Sequence, residues 1–582
     1  MTQTESLAES SWRFHRGLES FSTFLRRERR AFLIFGCSFV AILLAILFSV
    51  DAPFFYPRIE TDQLLYLLKA KSLVETGTTA ARSAVNNVPF AYAAMPGVLR
   101  APFLLMFSDF DAQLRGIQLM NVVIIALTGA MAAYVLSWGL PAKLHATGIA
   151  FTYGFMLLSP DWLTNTFVPL ADAPYAFLTL SALLLIRRVA VSAKPVGEQK
   201  TAIAVFVFLV TIASFVRVTA PALLVYAAVL LRGRWASARL SRRTLVMMLG
   251  LAALCVVTVG VLNFDAIFTR YVHDGMYFIR RADKSGMVVN ALASAFPAQI
   301  IPVFNLGFQV PPHSGRPGFP VFATTPRDAL WCLAGMFISL MIIRGMFLVR
   351  RKFLPELAYL FVALPVLALL VPSTTRYLMS YQSIVWIAFF TSAAVILQPL
   401  RSRLTTGQVR AGAIAAILIA AAGVVGMRYA RTAKNAGSRS FVGAVTQAFN
   451  NAKNTERTFR KLRTFLESHE RDRTLLIGGR GNTGLFTVIA NRDYYRPDSS
   501  LSAVAREKDV LALLACGTVT ACSQFDYWIR SQDHWIGRFG TFRYATLYDE
   551  RTASTRAMVR KVIPFDSANA LPPQSASGQT AR

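Results

Sequence analysis

Arg26-Arg-Glu-Arg-Arg-Ala-Phe-Leu-Ile-Phe-Gly-Cys-Ser-Phe-Val-Ala-Ile-Leu-Leu-Ala-Ile-Leu-Phe-Ser-Val50 sets four arginines directly before an apolar run from Phe32 to Val50. The run is too long for the core of a signal peptide and lacks a small-x-small cleavage site, so it reads as an uncleaved signal anchor. Arginines ahead of a span hold that end in the cytoplasm. The chain after Val50 is then expected outside.

Working outward, runs of similar character recur along all 582 residues, of which 54% are apolar and only 16% charged. Mean hydropathy is +0.45. A soluble chain would carry nearer 25% charged residues. Further spans are expected at about 116–138, 144–158, 173–187, 201–216, 218–231, 245–264, 329–349, 354–371, 381–399 and 411–428, eleven with the first. This describes a polytopic α-helical membrane protein. The expected cytoplasmic loops hold Lys143; Arg187, Arg188, Lys194 and Lys200; Arg232, Arg234, Arg239, Arg242 and Arg243; Arg350, Arg351 and Lys352; and Arg401, Arg403 and Arg410. The short outer loops 159–172 and 372–380 share one basic residue, Arg376. That asymmetry accounts for the net charge of +30 through loop anchoring rather than nucleic-acid binding.

The expected organisation is a cytoplasmic tail (1–30), a membrane domain (31–430) with long outer loops at 51–115 and 265–328, an outer α/β domain (431–565) and a disordered tail (566–582). In the last domain, 441–470 reads as a charged helix and Thr474–Gly478 as a buried strand. Leu501–Leu514 reads as another helix and Tyr544–Tyr548 as a second strand. Gly479-Arg-Gly-Asn-Thr-Gly484 matches a dinucleotide fingerprint only in its glycines, and a tight turn accounts for it better. Cys516 and Cys522 have the spacing of a small disulfide if the domain lies outside the cytosol; two unpaired thiols fit as well. No Cys/His cluster has zinc-site spacing.

The first outer loop contains Arg58-Ile-Glu-Thr-Asp-Gln-Leu-Leu-Tyr-Leu-Leu-Lys-Ala-Lys-Ser-Leu-Val-Glu-Thr-Gly77, bounded by Pro57 and Gly77 as a helix is. Asp62, Tyr66 and Lys69 stand at i, i+4 and i+7 and share one stripe. Taken alone, Asp62 reads as a helix-start acid matched to the dipole. A second outer acid, Asp172, stands in Val168-Pro-Leu-Ala-Asp-Ala-Pro174 at the mouth of a span, where a carboxylate is costly unless used or paired. Tyr92–Phe107, broken by Pro96 and Pro102, reads as a re-entrant or surface helix. Arg270, Tyr271, His273, Arg280, Arg281, Asp283 and Lys284 form a basic, aromatic cluster suited to a phosphate, or equally to a solvated face near headgroups. The spans are otherwise nearly free of charge, apart from Arg217 near an outer end.

Over residues 32–400 the chain resembles the GT-C membrane glycosyltransferases, in particular the aminoarabinose transferase and protein mannosyltransferase branch. The resemblance rests on Asp62-Gln-Leu-Leu-Tyr66 with Gly77, Tyr92-Ala-Ala-Met-Pro-Gly97, Asp172-Ala-Pro174 and Arg376-Tyr-Leu378, in that order. It implies that Asp62 is catalytic, that Asp172 supports it, and that Arg376, followed by Tyr377, contacts the donor phosphate. It also implies a polyprenyl-phosphate sugar donor, a lipid, glycan or protein acceptor, and a bacterial inner membrane with the C-terminal domain periplasmic. Gln63 replaces the usual second acid, which counts against a directly carboxylate-bound metal; the sequence names no cofactor, and a divalent cation remains compatible. The Lys-Pro-Pro of the aminoarabinose branch is absent, moving phosphate binding toward Arg58, Arg270 or Arg280.

The chemistry follows without the family. A sugar on a lipid phosphate has a weakly basic leaving group, so transfer needs one carboxylate to take the acceptor's proton. It also needs fixed cations for the growing phosphate charge. A single displacement of this kind inverts the anomeric carbon. The competing classes are a transporter or lipid/polysaccharide flippase, and a non-enzymatic glycan-binding assembly subunit. Transporters place ionisable groups at mid-membrane in repeated halves. Outer acids without an internal repeat favour the enzyme.

Overall fold

The computed structural model describes residues 20–49, 61–77, 95–158, 162, 166–167, 171–192, 194, 198–217, 219–235, 337, 340–350, 352–370, 379–396, 457–470, 473–478, 493–495, 499–516, 522–552 and 555–565. The expected spans 245–264 and 411–428, the loop 265–328, the glycine motif 479–484 and the tail 566–582 lie outside the described residues. The chain divides into two compact units, one running to Lys434 without 53–64 and 81–88, the other comprising those two segments with Asn435–Arg582.

The first unit is helical. It begins with α1 (Phe21–Arg27), whose N-cap Ser20 accepts from the Thr23 amide. An unbroken helical stretch, Arg29–Phe48, follows. It contains one π-turn at Phe32–Gly36 and then α2 (Cys37–Ser49). Next come α3 (Thr61–Thr76), which enters this unit at Leu65, α4 (Met95–Val98), α5 (Ala101–Met106), α6 (Phe110–Ser137), α7 (His145–Leu158), α8 (Asp172–Val191), α9 (Lys200–Val216) and α10 (Ala222–Trp235). Residues 341–349 are helical, and α11 (Leu354–Leu370) and α12 (Gln382–Ile396) close the described part.

Among the described residues, three helices are long and apolar enough to cross a membrane: Arg29–Phe48, α6 and α8. At 28 residues α6 spans about 42 Å, more than the hydrocarbon core. Asp109 starts it by accepting from the Ala112 amide at 3.1 Å. Its exposed Leu119, Val123 and Leu127 recur at i, i+4 and i+8 and make a stripe for lipid. The opposite face is buried, and there Gln118 donates to the Phe167 carbonyl at 2.9 Å. Small residues let helices approach closely: a Cβ at Gly129 would sit 2.7 Å from the Tyr153 ring, and one at Gly345 would collide with the Ala388 carbonyl.

Helix α8 packs against α6, α9 and α10, and α10 against α11. The structure corrects one reading here. Arg187, expected in a cytoplasmic loop, lies within α8, is buried, and is ion-paired with the fully buried Glu356 of α11. Tyr226 of α10 donates to the same carboxylate at 3.2 Å, and the guanidinium stacks on the Trp138 ring at 4.0 Å. The neutralising acid is 169 residues away in sequence, so counting charges along the chain ends the span too early.

The second unit carries a five-stranded sheet in the order β2-β1-β3-β5-β4, with β1 (Thr474–Gly478), β2 (Asp493–Tyr495), β3 (Asp509–Cys516), β4 (Phe542–Arg551) and β5 (Arg556–Pro564). β1 runs parallel to β2 and β3, whereas β5 is antiparallel to β3 and β4. Residues 457–467, the described part of the expected helix 441–470, are helical, and α13 (Leu501–Glu507) and α14 (Phe525–Ile536) also accompany the sheet. The expected helix 501–514 is overturned: it stops at Glu507, and Val510–Cys516 is the buried central strand. A continuous apolar run buried on both faces has no alternation to separate it from a buried helix. Cys516 and Cys522 are disulfide-bonded, tying the end of β3 to the approach to α14, and they pack with Phe525 and Met558.

Candidate functional site

Helix α3 begins beyond Pro57 and closes at Gly77, whose positive φ of 72° is a glycine conformation at a helix end. Asp62 falls in its first turn; its side chain lies outside the described ones. One turn on, Tyr66 is buried against Ala171 and Tyr175 of the α8 start, and against Ala213, Val216 and Ala220 at the α9–α10 corner. A further turn along, Lys69 is only 3% exposed. The Asp62–Tyr66–Lys69 stripe therefore runs along a single helix, and its last two members face the protein interior.

The proline-broken segment closes over that stripe. It forms the short helices α4 and α5 instead of a span. Gly97 lies so close to α3 that a Cβ there would be 2.8 Å from the Lys69 Cβ and 3.2 Å from the Ala70 amide nitrogen. Arg100, wholly buried, donates to the Pro96 carbonyl and places its guanidinium 5.5 Å from the Tyr66 ring centre. That is a cation–π arrangement shielded from water, where such contacts are strongest.

Asp172 opens α8, where its charge matches the helix dipole and Pro174 is tolerated in the first turn. It is 2% exposed and ion-paired with Arg217, the residue that caps α9 in an extended conformation. A second tie joins the same elements, Tyr175 Oη to Thr219 Oγ1 at 2.7 Å. The two together fix the mouth of α8 against the α9–α10 corner. Asp172 is thus one half of a buried ion pair at the mouth of α8.

Of the residues singled out in the sequence, Tyr66 and Lys69 come together with the Met95–Gly97 segment and with the residues flanking Asp172. Arg58, Arg270, Arg280, Arg376 and Tyr377 lie outside the described residues. Arg100 was missed, although a lone arginine inside the apolar segment 92–107 was a signal, because burying such a charge is costly without a use. Arg217 stands in the sequence as an isolated charge near the end of a span, and nothing local names its partner. Among the described residues, no three His, Cys, Asp or Glu side chains gather as metal ligands.

No family model matches the chain, and no curated protein matches it. Among solved structures it is similar to ArnT from Cupriavidus metallidurans bound to undecaprenyl phosphate, with 11% identity, 90% of this chain and 97% of that chain covered, and a TM-score of 0.46. It is also similar to the Archaeoglobus fulgidus oligosaccharyltransferase in the apo form, with 11% identity, coverage of 83% and 69%, and a TM-score of 0.46. The same organism's AglB, in complex with an inhibitory peptide and a dolichol-phosphate, gives 10%, 88% and 70%, and 0.42.

Proposed function

We propose that the chain is a GT-C-type membrane glycosyltransferase that moves a sugar from a polyprenyl-phosphate donor to an acceptor hydroxyl at the outer membrane surface, with inversion. What carries this reading is the convergence of three separately identified segments: the α3 stripe, Met95–Gly97 and the start of α8 meet around Tyr66. In this reading Asp62, one turn before Tyr66, is the general base that takes the acceptor's proton as its oxygen attacks the anomeric carbon. The carbon–phosphate-oxygen bond breaks on the opposite face, and the lipid phosphate leaves with the electron pair. Asp172, held by Arg217, orients the reacting groups. Lys69 and Arg100 sustain positive potential along the wall, and Arg58, Arg270, Arg280 and Arg376 with Tyr377 are the proposed phosphate contacts.

The test is Asp62→Asn, which keeps shape and hydrogen bonding and removes basicity. In membrane vesicles containing the cell's lipid-linked sugars, turnover of the polyprenyl-phosphate sugar should fall by roughly 10²–10⁴. Purified variant should still retain the donor lipid by native mass spectrometry. Near-parental turnover would sink the assignment.

A further inference from the structure

At the opposite end of the first span the turn Arg26–Ala31, with Ala146 of α7, lines an open cavity of about 450 Å³. Four arginines and a single carboxylate, Glu28, contribute to its wall. That carboxylate is already engaged: it accepts from Arg27 Nε at 3.0 Å and lies 3.6 Å from His145 Nδ1. Arg27 Nη2 also reaches His145 Nδ1 at 2.5 Å, while His145 Nε2 is 3.2 Å from the Leu140 carbonyl. These contacts assign the tautomer with Nε2–H donating to Leu140 and Nδ1 accepting from Arg27. Among the described residues, no carboxylate forms an ion pair with Arg26, Arg29 or Arg30.

The arginines are presented from a fixed platform. Phe24 is buried, and its ring meets those of Tyr134 at 5.1 Å, His145 at 5.6 Å and Phe32 at 5.7 Å, so α1 is anchored to α6 and α7. Within about 6 Å along the helix beyond Arg30, Leu33 and Ile34 stand exposed at the beginning of the apolar span. A cationic cavity thus borders directly on a lipid-facing apolar surface. A soluble anion would use only the first of these features; a lipid with an anionic headgroup uses both.

We propose that the Arg26–Arg30 cavity is a binding site for an anionic glycerophospholipid of the adjacent leaflet, its phosphate held by Arg26, Arg29 and Arg30 and its acyl chains lying along Leu33 and Ile34. Arg27, Glu28 and His145 form the fixed rear wall. The proposal is independent of the transferase reading and concerns the other end of the membrane domain.

The experiment uses the full chain, delipidated in neutral detergent and titrated with phosphatidylglycerol or phosphatidylcholine under native mass spectrometry. The parent should bind phosphatidylglycerol in preference. The variant Arg26→Gln/Arg29→Gln/Arg30→Gln should bind it on the order of a hundredfold more weakly, given the worth of one basic residue at a lipid surface multiplied over three. Its unfolding midpoint should hold, because the replaced side chains are exposed. A charge-matched control, Arg188→Gln/Lys194→Gln/Lys200→Gln, removes three exposed cations that do not line the cavity and should bind as the parent does. Equal loss in the control would mean a diffuse field and overturn the proposal. So would unchanged binding in the first variant, or complete displacement of the lipid by millimolar inorganic phosphate.

Discussion

Arg217→Met removes a charge and keeps most of the side-chain bulk, leaving Asp172 as a carboxylate whose side chain is 1% exposed beneath the mouth of α8. Breaking a buried pair from one side costs about 3–5 kcal/mol, since the remaining charge keeps its desolvation penalty and loses its compensation. For a unit of this size the unfolding midpoint should fall by roughly 4–6 °C. Asp172→Asn/Arg217→Met replaces the pair by neutral groups and should recover most of that loss, because a neutral substitution for a buried pair is often close to stability-neutral. The coupling energy from the double-mutant cycle should then be at least about 2 kcal/mol, within the range of directly contacting residues. Unfolding can be followed in detergent by the fluorescence of the buried Trp162, whose Nε1 donates to Gln382 at 2.9 Å. Sugar transfer, measured on the same four proteins, separates support from chemistry: the double variant should regain stability and remain impaired in turnover. Strictly additive losses would refute the coupling, and full recovery of turnover would reduce Asp172 to a structural role.

Three further outcomes follow from other parts of the molecule. Gly97→Ala should cost about 1–3 kcal/mol through overpacking against Lys69, and should lower turnover more than Gly345 neighbours do when changed conservatively, read by thermal unfolding and transfer together. Cys522→Ser should destabilise the second unit by about 2 kcal/mol, the loop-closure value for so short a ring; a non-reducing peptide map identifies the bond and urea titration gives the loss. Burial pushes the Glu550 carboxyl up, but hydrogen bonds from Lys461 at 2.7 Å and Tyr548 at 2.6 Å outweigh it and leave the group below its ordinary range. A depressed carboxyl contributes stability above its unfolded value and loses it as pH falls through the folded one, so the β4–β5 hairpin should become more sensitive to pepsin below about pH 4.5, and Glu550→Gln should remove that dependence.

Much of the helical frame was legible because each apolar run is a length-limited, one-signal feature. Helices α6, α7, α9 and α11 fall within a few residues of the runs at 116–138, 144–158, 201–216 and 354–371. The broken segment 92–107 was legible for the same reason in reverse: Pro96 and Pro102 forbid one continuous helix, and two short ones form. The site was legible as segments and illegible as contacts. The i, i+4, i+7 stripe pointed to Tyr66 and Lys69, but nothing local says that Arg100 stacks on Tyr66 or that Arg217 meets Asp172, 45 residues away. β3 failed for a different reason. Its Leu-Ala-Leu-Leu-Ala core carries neither period, and only pairing with β1 and β5 decides its state.

The buried Arg187–Glu356 pair bears on the choice between transferase and transporter, since it contradicts the reading that the spans are nearly free of charge. Its position decides what it weighs. Arg187 lies fifteen residues beyond Asp172 on α8, about 22 Å along an unbroken helix, beside Trp138 just past the end of α6 and Phe353 just ahead of α11. The two ionic pairs therefore stand near opposite ends of α8. Between them the described polar contacts are neutral: Tyr175 with Thr219, and the rings of Tyr226, Tyr359 and Tyr381 in succession. A transporter of the alternating-access kind gathers its charges at the midplane on discontinuous helices, where both sides can reach them in turn. Here α8 is continuous, and Arg187 bonds a carboxylate that also accepts from Tyr226, binding α8, α10 and α11 into one block. A block fixed at one end gives the other end a rigid edge, as a surface site needs for holding its reacting groups in place. The pair thus ties three helices together at one end of α8, and it lacks the midplane position on a broken helix that alternating access requires.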